Sequence, residues 1–180
     1  MRYESFSHRY ADIILNSDYE IKTEIEDVVR SVGFDDCRAR FVSENVVRTS
    51  EGKKLSKGYQ ATLNRMFREE FERRGWEREK YLFADSDNDL AIDFWKRSIG
   101  VDVAFVHRSF LGGDLLRLQA AAEVKNIVKV GVYISPTKAF ARVVSATDGN
   151  SLVSFERAQW YLKNFYSVLT VPILLIGMKE

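Results

Sequence analysis

Apolar residues recur along this 180-residue chain with two periods, and the change between them divides the chain in two. After Ser17 and Asp18, residues Ile21, Ile25, Val28, Val29 and Val32 fall three and four apart, with Glu24 and Glu26 early and Gly33 just beyond. Start signal, apolar face and stop signal thus predict a helix over 18–32. The stretch 43–58 is polar, carries Gly52 and Gly58, and holds Arg48, Lys53, Lys54 and Lys57 just after Arg40; it reads as a mobile loop. From Tyr59 the helical spacing returns at Leu63, Met66, Phe67 and Phe71 and ends at Gly75, which predicts a second helix over 58–74.

Beyond Trp76 the period shortens. Segments 80–84 and 89–96 are short and rich in aromatic or β-branched residues. Segment 101–106 alternates strictly, with Val101, Val103 and Phe105 on one face and Asp102, Ala104 and Val106 on the other. A helix over 110–124, opening on Gly112, Gly113 and Asp114, leads to an apolar strand over 128–135 closed by Pro136. A polar loop over 145–151 precedes a helix carrying Phe155, Trp160, Leu162, Phe165 and Tyr166, and a last strand follows over 171–178. There are no internal repeats. Helix, helix, strands, helix, strand, helix, strand is the order of an α/β domain: one unit over 1–180 with a mixed central β-sheet flanked by helices.

Composition narrows the class. With 46% hydrophobic and 29% charged residues the chain can bury a core, so disorder is not expected. Lys and Arg total 27 against 26 Asp and Glu, so any nucleic-acid surface must be a local cluster. A single cysteine, Cys37, and no leader-like start point to a reducing, cytoplasmic setting in a prokaryote-like cell. No run of about 18 apolar residues is available to span a membrane, the nearest being 168–178, which Pro172 interrupts. Cys37 reads as a small buried hydrophobe, His8 as an exposed side chain, and the aromatic residues around Trp160 as core plus subunit interface.

The candidate chemistry lies in 91–109, AIDFWKRSIGVDVAFVHRS. If the two strands pair through a turn near 97–99, positions 93 and 102 lie opposite each other, with Cβ atoms about 5 Å apart. Asp102 then stands inside an apolar strand, where a lone charge costs several kcal/mol unless something positive faces it. A divalent metal held by Asp93 and Asp102 meets that need and would polarise a phosphate. So does an arginine or lysine in a structural salt bridge, and spacing alone leaves both open.

The chain also resembles the BglII/BstYI family of type II restriction endonucleases, within the wider PD-(D/E)xK nuclease fold. The resemblance rests on SKGYQATLNRMFREEFERRGW at 56–76, IDFWKRSIGVDVAF at 92–105, VGVYISP at 130–136, SLVSFERAQWYL at 151–162 and VPILLIGM at 171–178, taken in order. It implies a Mg²⁺-dependent, site-specific endonuclease on double-stranded DNA, acting as a homodimer at a palindrome with a GATC-like core. By the same resemblance Asp93 is the first metal-binding aspartate, Asp102 replaces the family's glutamate, and the Val103 backbone carbonyl joins the metal shell. His107 and Arg108, with Asn150 and Ser151, fall at DNA-contacting positions, and Lys53 and Lys54 sit on a basic loop able to meet phosphates.

Ala104 departs from the pattern, because the family has Gln there and the wider fold usually Lys. Three explanations compete. Arg117, Gln119 or Lys96 takes over the role; the metal shell alone suffices for a slower enzyme; or the protein is a catalytically impaired DNA binder on the same scaffold. A purely structural α/β interaction domain, with the two aspartates salt-bridged apart, is a further reading.

Overall fold

The computed structural model describes residues 1–83 and 90–180. The expected strand ends at Ala84 and Asp89 lie outside the described residues. The chain runs β1 (Arg2–His8), α1 (Ala11–Leu15), α2 (Tyr19–Ser31), α3 (Phe34–Ser50), α4 (Gln60–Arg73), β2 (Glu77–Tyr81), β3 (Ala91–Lys96) and β4 (Ile99–Val103). It continues through α5 (Leu111–Glu123), β5 (Val130–Pro136), α6 (Lys138–Val144), α7 (Phe155–Asn164) and β6 (Ile173–Lys179). Six strands form one mixed sheet in the order β1-β6-β5-β4-β3-β2. β4, β5 and β6 are parallel, and β1, β3 and β2 run antiparallel to their neighbours.

Strand alternation sorts side chains onto two cores. Val101, Val103, Phe105, Val130, Val132 and Ile134 face α1 to α4 and α6, while Ala104, Tyr133, Ile173 and Leu175 face α5 and α7. Three of the helices, α2, α6 and α7, begin at a side-chain cap. Asp18 accepts from the Ile21 N–H at 3.4 Å, Thr137 from Phe140 at 3.3 Å and Ser154 from Arg157 at 3.4 Å.

Several expectations need correction. The polar stretch 43–58 is helical as far as Ser50, because α3 buries only Phe34 and Cys37 and leaves its other faces to solvent. A helix that polar carries almost no apolar period to detect. β1, α1 and α6 were not anticipated; β1 gains its partner only from β6, at the opposite end of the chain. The strand expected over 101–106 begins at Ile99 and ends at Val103. His8 is 3% exposed, not solvent-facing, with its Nε2 2.8 Å from the Leu169 carbonyl. Cys37 is fully buried, and burial pushes its thiol up to about 12, which leaves it inert. The aromatic run divides: Tyr161 packs partly on the core, whereas Trp160, Phe165 and Tyr166 remain largely exposed. No helix of the described residues is long and apolar enough to cross a membrane.

Candidate active site

The β3–β4 hairpin turns on two residues, Arg97 and Ser98, both at positive φ (47° and 66°), the conformation that matches a tight hairpin to strand twist. That turn sets the register. Phe94 faces Val101, Trp95 faces Gly100 and Lys96 faces Ile99, so the next pair out is Asp93 with Asp102. There the ladder gives way to side-chain bonds in both directions. The Asp93 backbone N–H donates to Asp102 Oδ1 at 3.1 Å, and the Val103 N–H donates to Asp93 Oδ2 at 2.8 Å. The two carboxylates are brought together, as the spacing predicts.

The outer side of β3 is also interrupted here. Arg78 pairs with Phe94 and Lys80 with Ile92, but Glu79, opposite Asp93, adopts φ 52°. Across this irregularity Phe94 packs in one core and Ile92 in the other, although residues two apart in a regular strand share a face. A non-glycine residue held at positive φ costs about 1–3 kcal/mol, and such strain gathers at functional sites.

Electrostatics at the pair are set by burial. Asp102 is 1% exposed, and burial together with the Asp93 carboxylate pushes it up to about 8. Burial likewise raises Asp93 and Asp114. The nearby cation is Arg117 of α5, whose Nη2 lies 3.3 Å from Asp102 Oδ2 and 2.9 Å from Asp114 Oδ1. Tyr133, fully buried on β5, donates to Asp114 Oδ2 at 2.8 Å. Burial works against the Arg117 charge, but Asp102, Asp114 and Asp93 together more than offset it. The salt bridge is present, since an arginine engages Asp102, and the carboxylates still open on a cleft.

That cleft has a volume of about 490 Å³. Asp93, Asp102, Val103, Ala104, Asp114 and Arg117 line one wall, and Asn64, Arg65, Arg68, Arg78, Glu79 and Phe110 complete it. Arg65 is paired with Glu44 at 2.6 Å and Arg78 with Glu79 at 2.6 Å. Arg68 has no ion-pair partner among the described residues, and Asn64 Oδ1 is buried without a hydrogen-bond partner. Sequence reading missed Asn64, Arg68, Arg78, Glu79 and Asp114. The only available signal was the stripe of Ala61, Asn64, Arg65 and Arg68, which share one face of α4.

Of the three residues weighed as stand-ins at Ala104, only Arg117 reaches the pair. Lys96 is held by Glu24 at 2.8 Å and the Arg74 carbonyl at 2.7 Å. Gln119 is bonded to Thr170 and to the Val171 N–H, where it fixes the entry to β6. Ala104 itself is buried and lines the cleft.

The expected DNA-reading segments meet each other. His107 forms a β-bridge with Leu152, and the Val153 N–H donates to Val106 at 2.9 Å, so the strand end adjoins the Asn150–Ser151 turn. His107 Nδ1 lies 2.8 Å from Ser109 Oγ and 3.3 Å from the Ser109 backbone nitrogen, so the ring is held against its own loop. Arg108 is exposed, and Asn150 Oδ1 accepts from Arg142 at 3.4 Å. Lys53 and Lys54 do not line the cleft: Lys53 pairs with Glu51 at 2.8 Å, and the Lys54 carbonyl accepts from Arg48 at 2.8 Å.

A mixed sheet whose central hairpin presents two aspartates to an open cleft is the architecture of a restriction-endonuclease-like fold. The structure of restriction endonuclease BglII complexed with a DNA 16-mer matches it with a TM-score of 0.72 at 23% identity, covering all of this chain and 79% of that one. The family model for restriction endonuclease BglII/BglIII matches residues 3–178. The chain belongs to that restriction endonuclease family. No curated protein sequence matches it.

The donor set fits a divalent cation of the kind this family implies. Hard carboxylate oxygens from Asp93 and Asp102 converge, and Oδ1 of Asp93 has no partner among the described residues. Among the described residues no cluster of three or more His, Cys, Asp or Glu forms a self-sufficient metal cage.

Proposed function

We propose that the protein is a type II, Mg²⁺-dependent endonuclease that cuts double-stranded DNA at a palindromic site with a GATC-like core, acting as a homodimer. One observation carries this reading: two aspartates on adjacent strands, each bonded to the other strand's backbone, open together on a cleft that also holds Arg68, Arg78 and Arg117. Hydrolysis adds water across one ester bond: a P–O bond to the water oxygen forms, a P–O ester bond breaks, and the departing oxygen takes up a proton. Asp93, Asp102 and the Val103 carbonyl would hold Mg²⁺, which polarises the phosphate and lowers the pKa of its water. The Arg68 and Arg78 guanidinium groups suit backbone phosphates, which position the duplex without reading sequence. His107 and Arg108 have side chains suited to guanine N7 or O6, and Asn150 and Ser151 lie beside them across the His107–Leu152 bridge. Lys53 and Lys54 serve more distant phosphates.

Ala104 favours a second reading, a DNA-binding protein on the same scaffold with impaired chemistry. Digestion of a long duplex with Mg²⁺ separates the two. Discrete, mappable fragments support the endonuclease; intact DNA at large protein excess, alongside salt-dependent binding, supports the impaired binder.

A further inference from the structure

The side chain at position 104 is a methyl group, so it brings neither charge nor donor to the cleft, and the cation there comes from another element. Arg117 projects from α5 beside Asp102, with its side chain 22% exposed. Its Nη2 is engaged twice, by Asp102 and by Asp114, and Asp114 is itself held by Tyr133. This chain of bonds fixes the guanidinium in place. Its Nε is buried with no partner, and Nη1 has none among the described residues. A buried donor left unpaired costs about 1–3 kcal/mol and calls for a partner. Planar guanidinium donors fit phosphate oxygens, and a fixed cation in a water-poor cleft stabilises charge that develops during reaction.

We infer that Arg117 is the catalytic cation of this protein: it donates to a non-bridging oxygen of the DNA phosphate seated at Asp93 and Asp102, and so replaces the side chain that position 104 lacks. The inference rests on the endonuclease reading for its chemical consequence, but the phosphate contact stands apart from it. Asp114 and Tyr133 are positioning residues that aim the guanidinium. The geometry explains why an alanine is tolerated at a position that otherwise carries a functional group, since α5 delivers a charge beside Asp102.

Two measurements test it. In single-turnover cleavage with Mg²⁺, Arg117→Met is expected to lose on the order of 10²–10³-fold in rate, while its affinity for the same duplex in Ca²⁺ changes only a few-fold. The double variant Arg117→Met/Ala104→Lys should recover at least about tenfold over Arg117→Met, because a lysine at 104 restores the charge from the strand. Cleavage by Arg117→Met within about threefold of wild type, with its melting temperature intact, overturns the inference and leaves the endonuclease reading standing. The second readout needs no turnover. The Arg117 Nε–H resonance, assigned by its absence in Arg117→Lys, should shift when a duplex bearing the mapped cleavage site binds in Ca²⁺; if no site maps, a GATC-centred duplex is used. A resonance that stays put while the duplex binds overturns the inference whatever the cleavage result. A resonance that shifts in a protein unable to cut supports the phosphate contact and overturns the endonuclease reading instead.

Discussion

Asp102 concentrates the conflict between stability and function in a single side chain. Its carboxyl, raised to about 8 by burial and by Asp93, carries a proton at neutral pH when no cation is present. The unfolded chain would titrate it near 3.8, so between about 4 and about 8 the folded state binds more protons than the unfolded one. The stability this gives is complete below that window and is lost as pH rises through it. Burial raises Asp93 and Asp114 in the same direction. We therefore expect the metal-free protein to melt lower at pH 8 than at pH 5, and Asp102→Asn to melt higher than wild type at pH 8 while losing roughly three orders of magnitude in cleavage. Calorimetry at the two pH values checks the first half; an Asp102→Asn protein less stable than wild type at pH 8 would show that the carboxylate is not under strain. Cation binding must displace the same proton, so Ca²⁺ affinity measured by titration calorimetry should rise with pH and level off near 8.

At the level of elements, the hairpin that aligns the aspartates is held by a turn whose residues do not favour it. Arg97 and Ser98 both sit at positive φ, where Asn-Gly is the preferred pair, and the contacts of Arg97 with Glu20 and Asp18 are solvent-exposed and contribute little. Replacing the pair by Asn-Gly should stabilise the fold by about 0.5–1 kcal/mol, seen as a melting temperature raised by about 1–4 °C, with cleavage rate unchanged. A glycine sets the opposite limit in the loop that carries Asn150 and Ser151. A Cβ at Gly149 would lie 2.6 Å from Arg142 Cα and 2.7 Å from the Ala141 carbonyl, both backbone atoms that cannot yield cheaply. Gly149→Ala should therefore cost about 2 kcal/mol or more and weaken discrimination between cognate and mutated sites more than it weakens non-specific binding, as competition binding would show.

These elements also indicate what the sequence could reveal. The aspartate pair was legible because a carboxylate inside an apolar alternation is conspicuous and because hairpin register follows from strand period and turn length. Arg117, Asp114 and Tyr133 were not legible as a group, since their meeting depends on how α5 packs over β4 and β5, and no local spacing encodes that. α3 was hidden by its own exposure, and β1 by pairing with a strand at the far end of the chain.

For the whole molecule, a net charge of +1 means that DNA affinity must come from local positive charge. Arg68 lies in the cleft with no ion-pair partner among the described residues, and Arg108 lies beside His107, while several acids of α2 to α4 are neutralised by neighbouring arginines. A duplex reaching both cleavage centres of a twofold assembly would meet that cluster twice. If roughly six to ten phosphates are contacted, affinity should fall by about 10³–10⁵ between 50 and 200 mM salt. A twofold assembly would need apolar surface, and one region offers it. Leu116, Phe165 and Val168 are 55%, 43% and 56% exposed and border a cavity of about 240 Å³ whose lining is wholly apolar. Exposed apolar area of this kind, on α5 and the turn that follows α7, suits an isologous contact between two copies. Sedimentation should accordingly give a particle of twice the 20.8 kDa chain mass. Leu116→Glu with Val168→Glu should reduce it to one, leaving the fold intact by circular dichroism and converting double-strand cuts into slow nicks. Should the double variant remain dimeric, the contact lies elsewhere on the surface; should wild type sediment as a single chain even with its site bound, cleavage of both strands would require two independent encounters, and nicked circles would accumulate ahead of linear product.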